Sequence, residues 1–396
     1  MTQTDAARAA PDQTRPPPWR DVRVLRVVFQ VVFLVVVAWA AWWMFNTVRT
    51  NLRLSGLEAG FDYLGQPAGV DIRDSPFRPS QPVRDAIVVG LLNTVRVATV
   101  GIALATILGI LVGVARLSSN WLVRKAAALY VESLRNIPVL VIIVFMYIAV
   151  VLRLPGITEA ADIVGLVLAS NRGVYVPWGE ATGSVGVFLV LLGVALVAAL
   201  VVAAWRTRRW NETGTPHHRL LWGGLVFLAL AAAAYAALSA PIAITLPTRE
   251  ERVVEGGIAL GPEYAALLFA LVIYTASHIA EIVRGSILAV PKGQTEAANA
   301  IALSGYQRMR YVILPQAFRI MIPPLGNQYL NLTKNSSLAV AIGYFELTRI
   351  TNQIIANGNP APQSILILMG CYLALSLIIS LFVNIVNRAL SLERRT

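Results

Sequence analysis

Asn331, Thr333, Lys334, Asn335, Ser336 and Ser337 fall within seven consecutive residues of an otherwise apolar run that also contains Pro323, Pro324, Gly326 and Gly343. An ammonium beside carboxamides and hydroxyls can hold a carboxylate, and a purely apolar surrounding would leave all of these groups unsatisfied. The chemistry on offer is binding, not bond breaking. Asn331, Lys334, Asn335 and Ser336 are candidates for the lining of a polar path; the alternative is a helix break whose side chains bond to backbone. Both can hold at once.

Other reactive residue types do not assemble. His278 sits in an apolar helix like a packed histidine, and the adjacent His217 and His218 project in different directions, which suits a solvated loop better than a metal. Cys371 is the only cysteine, so no intrachain disulfide and no cysteine-based metal site is expected. No GxxxxGK[ST] phosphate loop is present either. Catalytic residues, metals and cofactors are therefore not expected on this chain.

A second constellation fills residues 281–319, EIVRGSILAVPKGQTEAANAIALSGYQRMRYVILPQAFR, a basic polar stretch between two apolar runs. Thr295 is placed to cap a short helix with Glu296 in its first turn, where the helix dipole favours a carboxylate, followed by Ala297, Ala298 and Ala300. Such a helix carries almost no side-chain bulk. Ser304-Gly305 offers a turn, and a second amphipathic piece with Tyr306, Met309, Val312 and Ile313 runs into Leu314-Pro315, where proline limits further helix. A small-sided helix flanked by membrane spans is shaped to enter a cleft in another protein.

The elements that must position these groups are membrane helices. With 57% hydrophobic and 14% charged residues, the chain holds more apolar surface than a soluble core of 396 residues could hide. Apolar runs of about 20 residues, the length that crosses a bilayer, lie near 24–46, 87–115, 128–152, 184–205, 220–240, 264–285, 322–345 and 364–387. The sequence thus predicts an all-α integral membrane protein of about eight spans. Trp39, Trp42 and Trp43 close the first run as an interfacial anchor, which favours a retained span over a cleaved signal.

The net charge of +12 reflects topology rather than nucleic-acid binding, because the arginines cluster at the ends of apolar runs. Both termini are expected in the cytoplasm. Arg8, Arg15, Arg20, Arg23 and Arg26, then Arg116, Arg124 and Lys125, then Arg206, Arg208, Arg209 and Arg219, then Arg284 through Arg319, and Arg388, Arg394 and Arg395 all fall on that side. Within the spans, Glu281 and Arg284 lie three apart on one face and should pair or brace the adjacent loop. Arg96, with Asn93 and Thr94, reads equally as a snorkelling anchor or a functional cation. Arg135, Asn136 and Pro138 should kink the third span.

Taken together, these features resemble the permease subunits of bacterial ATP-binding-cassette importers. The loop is similar to their EAA signature: Glu296-Ala297-Ala298, three residues, a small residue, nine residues, Val312, one residue, then Leu314-Pro315. The family usually has glycine at the small position, where this chain has Ala302; either alanine is strained in a positive-φ turn there, or the turn moves to Ser304-Gly305. More narrowly the chain looks like the long permease of general L-amino acid and glutamate/glutamine-type systems. The runs that carry this begin at Gly90, Glu132, Ala280, Val290 and Leu332.

The resemblance implies a type I ABC importer permease fold. It has a cytoplasmic tail at 1–23, an additional helix at 24–46, a periplasmic loop at 47–86 and core helices at 87–152. An insertion at 153–263 with two spans follows, then core helices at 264–390 that include a cytoplasmic coupling loop at 286–320, and a tail at 391–396. It implies an inner-membrane protein that imports L-amino acids with a second homologous permease, two ATPase subunits that bind ATP and Mg, and a periplasmic amino-acid-binding protein. Glu296, Ala297, Ala298, Ala302, Gly305, Leu314 and Pro315 would carry ATPase coupling. The alternative is an ion-coupled carrier working alone, which would want acidic residues near mid-membrane.

Overall fold

The computed structural model describes residue 19 and residues 21–54, 60–213, 218–250 and 253–391. Most of the expected tails 1–23 and 391–396, and His217, lie outside the described residues. Helix α1 (Val22–Leu54) is apolar along Val24–Asn51 and buries none of that stretch against the rest of the chain. Residues 60–82 then fold back as a loop whose Tyr63, Ala68, Val70, Ile72 and Phe77 pack on α2 (Val83–Ala115).

The expected third span is not one kinked helix. The α3 helix (Trp121–Arg135) and α4 (Val139–Phe145, extended by a π turn to Val150) meet at 101°. Pro138 lacks the N–H that would continue the ladder, and the Asn136 side chain bonds back to the Glu132 carbonyl at 2.8 Å, so helix α3 ends there.

The insertion is only partly helical, which the sequence reading did not anticipate. Strands β1 (Ala161–Ile163), β2 (Val167–Ser170), β3 (Gly173–Val176) and β4 (Trp178–Ala181) lead into α5 (Val185–Thr213) and α6 (Arg219–Ala237). Strands β5 (Ile242–Thr245), β6 (Thr248–Glu250), β7 (Val253–Glu255) and β8 (Ile258–Leu260) follow. An antiparallel sheet of order β1-β2-β3-β8 pairs Val174 with Leu260, and β4 pairs with β5. These nested ladders close the roots of the α5–α6 hairpin, so the insertion leaves and rejoins the core at one place.

Helix α7 (Pro262–Leu288) is the axis of the core, with Tyr264 through Leu268 and Thr275 through Ser277 buried. It packs most extensively on α2, and the reason is legible in α2: Gly101, Ala105, Gly109 and Gly113 recur every four residues along one face. Lipid supplies no hydrophobic drive between helices, so close backbone approach over small residues takes its place. A Cβ on Gly109 would stand 2.5 Å from Ile279 Cγ2, and one on Gly113 2.8 Å from the Ala280 carbonyl oxygen.

After α7 come α8 (Lys292–Ala300), α9 (Gly305–Arg308), a π turn over Met309–Ile313 and α10 (Leu314–Asn335). A 3₁₀ turn over Ser336–Ile342 leads to α11 (Leu347–Ala356) and α12 (Ala361–Ser391). Glu346 is buried and caps α11, its carboxylate accepting from the Thr348 and Arg349 amides at 2.8 and 2.7 Å. Burial pushes that carboxyl up, against the pull of the two amides.

Among the described residues, α1, α2, α5, α7 and α12 are long and apolar enough to cross a membrane, and the bent α3–α4 pair makes a sixth if it counts as one span. The apolar runs at 220–240 and 322–345 fall on α6, which is shorter, and on α10, which polar residues interrupt.

Candidate functional site

The segment between α7 and α10 departs from its expected detail in three places. Its first helix starts at Lys292 with Pro291 as N-cap, so Thr295 is no cap and Glu296 lies in the second turn, beyond the reach of the N-terminal dipole. Proline at 291 presets the backbone for helix entry without a side-chain cap. Glu296 and Ala297 are exposed, and Ala298 is buried. The helix therefore rests on Ala298 and presents the other two outward.

The turn stays at Ala302. Its φ is +56°, its N–H donates to the Asn299 carbonyl at 2.9 Å, and the Leu303 N–H donates to the Ala298 carbonyl at 3.1 Å. These are the two bonds of a Schellman C-cap, with Ala302 at the left-handed position that glycine usually fills. Gly305 does not take the turn; it opens α9. Ser304 caps α9 with a capping box, its hydroxyl accepting from the Gln307 N–H at 3.3 Å while the Gln307 side chain accepts from the Ser304 N–H at 2.9 Å. Arg308 Nη1 donates to Asn299 Oδ1 at 2.5 Å and ties the two short helices together.

Pro315 does not end the helix. The chain runs helically from Gly305 to Asn335, because the π turn at Met309–Ile313 lets the ladder shift one residue just where the proline withholds its N–H. Leu314 and Pro315 thus lie on the shaft that joins the exposed loop to α10. Ile301 is 71% exposed and Tyr306 69%, beside the exposed Ala302 and Gly305. Large apolar side chains at the end of a membrane helix bundle, set among residues without bulk, make a surface that another protein can cover.

The polar cluster at the other end of α10 divides into two groups. Thr333, Ser336 and Ser337 bond to the carbonyls of Tyr329, Thr333 and Lys334 at 2.9, 2.7 and 2.7 Å, satisfying backbone where the α-helix tightens to 3₁₀. Ser336 is fully buried and faces inward. Asn331 and Lys334 are exposed and share one face with exposed Asn327, at steps of four and three. Asn335 is half-buried between the groups. The helix-break reading describes Thr333, Ser336 and Ser337; Asn331 and Lys334 stand apart from it on the exposed face.

Near the loop end of α7, Arg284 donates to Glu281 through Nη2 at 2.5 Å and Nε at 3.1 Å, and Arg116 at the end of α2 donates to the same carboxylate. Arg116 also approaches Glu132 of α3 at 3.8 Å. Sequence spacing foretold the Arg284 contact. It gave no sign of Arg116, which is 165 residues away from Glu281 in the chain. His278 packs edge-on against Tyr274 with ring centroids 4.8 Å apart.

Comparison with known proteins shows the family of this chain. The family model described as binding-protein-dependent transport system inner membrane component matches residues 105–392. The chain is 39% identical to the general L-amino acid transport system permease protein AapQ of Rhizobium johnstonii, over 95% of this chain and 94% of that protein. It is 38% identical to the putative amino-acid ABC transporter permease protein YhdX of Escherichia coli, over 93% and 94%. It is 34% identical to the glutamate/glutamine/aspartate/asparagine transport system permease protein BztB of Rhodobacter capsulatus, over 95% and 96%. With the family model covering most of its length and relatives matching it end to end, this chain belongs to the inner membrane components of binding-protein-dependent transport systems, the multi-pass permease subunits of ABC transporters, which are not themselves enzymes.

Proposed function

We propose that this chain is one of two homologous permeases in an importer of L-amino acids, lying in the bacterial inner membrane with both termini in the cytoplasm. The observation that carries the reading is the exposed loop between α7 and α10: a helix with Glu296 and Ala297 outward, a left-handed Ala302, and exposed Ile301 and Tyr306. Two cytoplasmic ATPase subunits bind ATP and Mg, and one of them receives this loop. Movement then passes along the continuous helical shaft through Leu314 and Pro315 into α10 as a rigid body. Asn331 and Lys334, with Asn335 beside them, line the path on the exposed face of α10, where bare lipid would leave them unsatisfied. Ser336 supports that face from inside. A periplasmic amino-acid-binding protein delivers the solute at the opposite end of α7.

The amino-acid assignment is supported by the relatives that match this chain along nearly their whole length, a general L-amino acid permease and a glutamate/glutamine/aspartate/asparagine permease. An ion-coupled carrier is not favoured: Glu281, the acidic residue deepest in α7, is engaged by two arginines. The test is reconstitution of the chain with its permease, ATPase and binding-protein partners, followed by ATP-driven uptake of a panel of L-amino acids. Uptake that needs ATP and the binding protein supports the reading. Uptake by this chain alone, driven by an ion gradient, overturns it.

A further inference from the structure

At the end of α7 away from the loop, Arg73, Asp74, Asn93, Arg96, Glu263 and Tyr344 line a cavity of about 40 Å³. At roughly 10–15 Å³ per water it takes about three water-sized groups. Asp74 and Asn93 also line an adjoining groove of about 550 Å³, whose walls mix Gln81 and Asp85 with Phe77, Val88 and Leu92.

The charges are balanced but not used up on each other. Arg73 lies 3.8 Å from Glu263, which also accepts from the Tyr147 hydroxyl at 3.3 Å. The Arg96 guanidinium stands 4.6 Å from the centroid of the Tyr264 ring, and Tyr264 leans on Tyr344 with centroids 5.7 Å apart. Arg96 also hydrogen-bonds the Tyr264 side chain, and a guanidinium fork of five N–H donors has others left for a planar acceptor. Asp74 is held at φ +57°, with Oδ2 only 2.6 Å from where a Cβ on Gly261 would stand. The absence of a side chain at 261 lets the carboxylate sit at the head of α7. Asn93 donates to the Phe345 carbonyl at 2.8 Å and closes the floor between α2 and the turn before α11.

The geometry points to a receiving site for the zwitterionic head group of an α-amino acid, with Arg96 holding the carboxylate, Asp74 holding the ammonium, and the wider groove taking the side chain. This rests on the amino-acid reading above and deepens it. Two cations and two anions give the lining no net charge, which suits a head group that carries one charge of each sign. A tight pocket for the invariant head and a roomy, mixed groove for the variable part would let one permease accept more than one amino acid. With α7 spanning 27 residues, about 40 Å at 1.5 Å per residue, the site lies at the far mouth from the loop.

The test uses the full chain in lipid nanodiscs and saturation-transfer NMR with L-alanine, N-acetyl-L-alanine and L-alaninamide. L-Alanine should bind, and each blocked analogue should bind at least tenfold more weakly. R96Q should abolish the preference for the free carboxylate and D74N the preference for the free ammonium, with R96K retaining part of the former and all three variants keeping the wild-type unfolding midpoint. Absence of binding, equal binding of the analogues, or an unchanged pattern in both variants overturns the site. Uptake separates this from the transport reading. ATP-driven uptake that is unaffected by R96Q and D74N retires the site alone, whereas head-group-selective binding without any ATP-driven uptake retires the transport reading and keeps the site.

Discussion

Replacing Ala302 with glycine should tighten the loop that this chain exposes. Alanine at φ +56° brings Cβ toward the following carbonyl, at about 1–2 kcal/mol. Glycine removes that strain but loses more backbone freedom on ordering, by about 0.5–1 kcal/mol. The difference leaves a gain of about 0.5–1 kcal/mol, or about a twofold to fivefold fall in local opening, since about 1.4 kcal/mol is tenfold. The bonds that report it are known: the 302 and 303 amides donate to Asn299 and Ala298. Hydrogen exchange at these two amides, in otherwise identical nanodisc samples, should slow by that factor in A302G. In A302V the β-branched side chain is worse placed in the same conformation, and exchange should quicken. Exchange that is unchanged or faster in A302G, or equal in the two variants, would refute the argument that Ala302 carries the left-handed turn under strain.

Three further outcomes follow from other contacts. Gly109→Ala should lower the thermal midpoint, through a cost of about 1–3 kcal/mol, because the new Cβ meets Ile279 at 2.5 Å; an unchanged midpoint means that α2 and α7 do not approach there. Glu281→Gln should cost about 1–3 kcal/mol by leaving Arg116 and Arg284 without their anion, and a cycle with Arg116→Met should be non-additive; simple additivity would show that the contact does not stabilise the protein. Lys334→Ala should cut amino-acid uptake at least tenfold with basal ATPase activity intact, whereas unchanged uptake and affinity would leave Lys334 as a helix-end cation and nothing more.

What the sequence made legible was local. A step of three residues placed Glu281 on Arg284, and the Glu296–Pro315 spacing marked the loop. Local reading also misplaced details wherever a neighbour changed the rule. Pro315 reads as a helix stop, yet the π turn before it absorbs the missing donor. Ala302 reads as a poor left-handed residue, yet two backbone bonds hold it there and leave Gly305 free to begin α9. The rest depended on pairs distant in sequence. Strand β3 pairs with β8 more than eighty residues later, so short runs such as Gly173–Val176 gave no strand signal on their own. Arg73 and Asp74 gave no sequence signal at all; only the fold sets them beside Arg96 and Glu263.

The most direct measurement of the central claim is made on Ile301, which is 71% exposed at the tip of the loop. Ile301→Asp should leave the unfolding midpoint of the purified chain within error of wild type, while the ATPase subunits no longer copurify with it and ATP-driven uptake is lost. An Ile301→Asp chain that still holds its ATPase and imports amino acids at the wild-type rate would contradict the assignment of this loop as the ATPase-docking element.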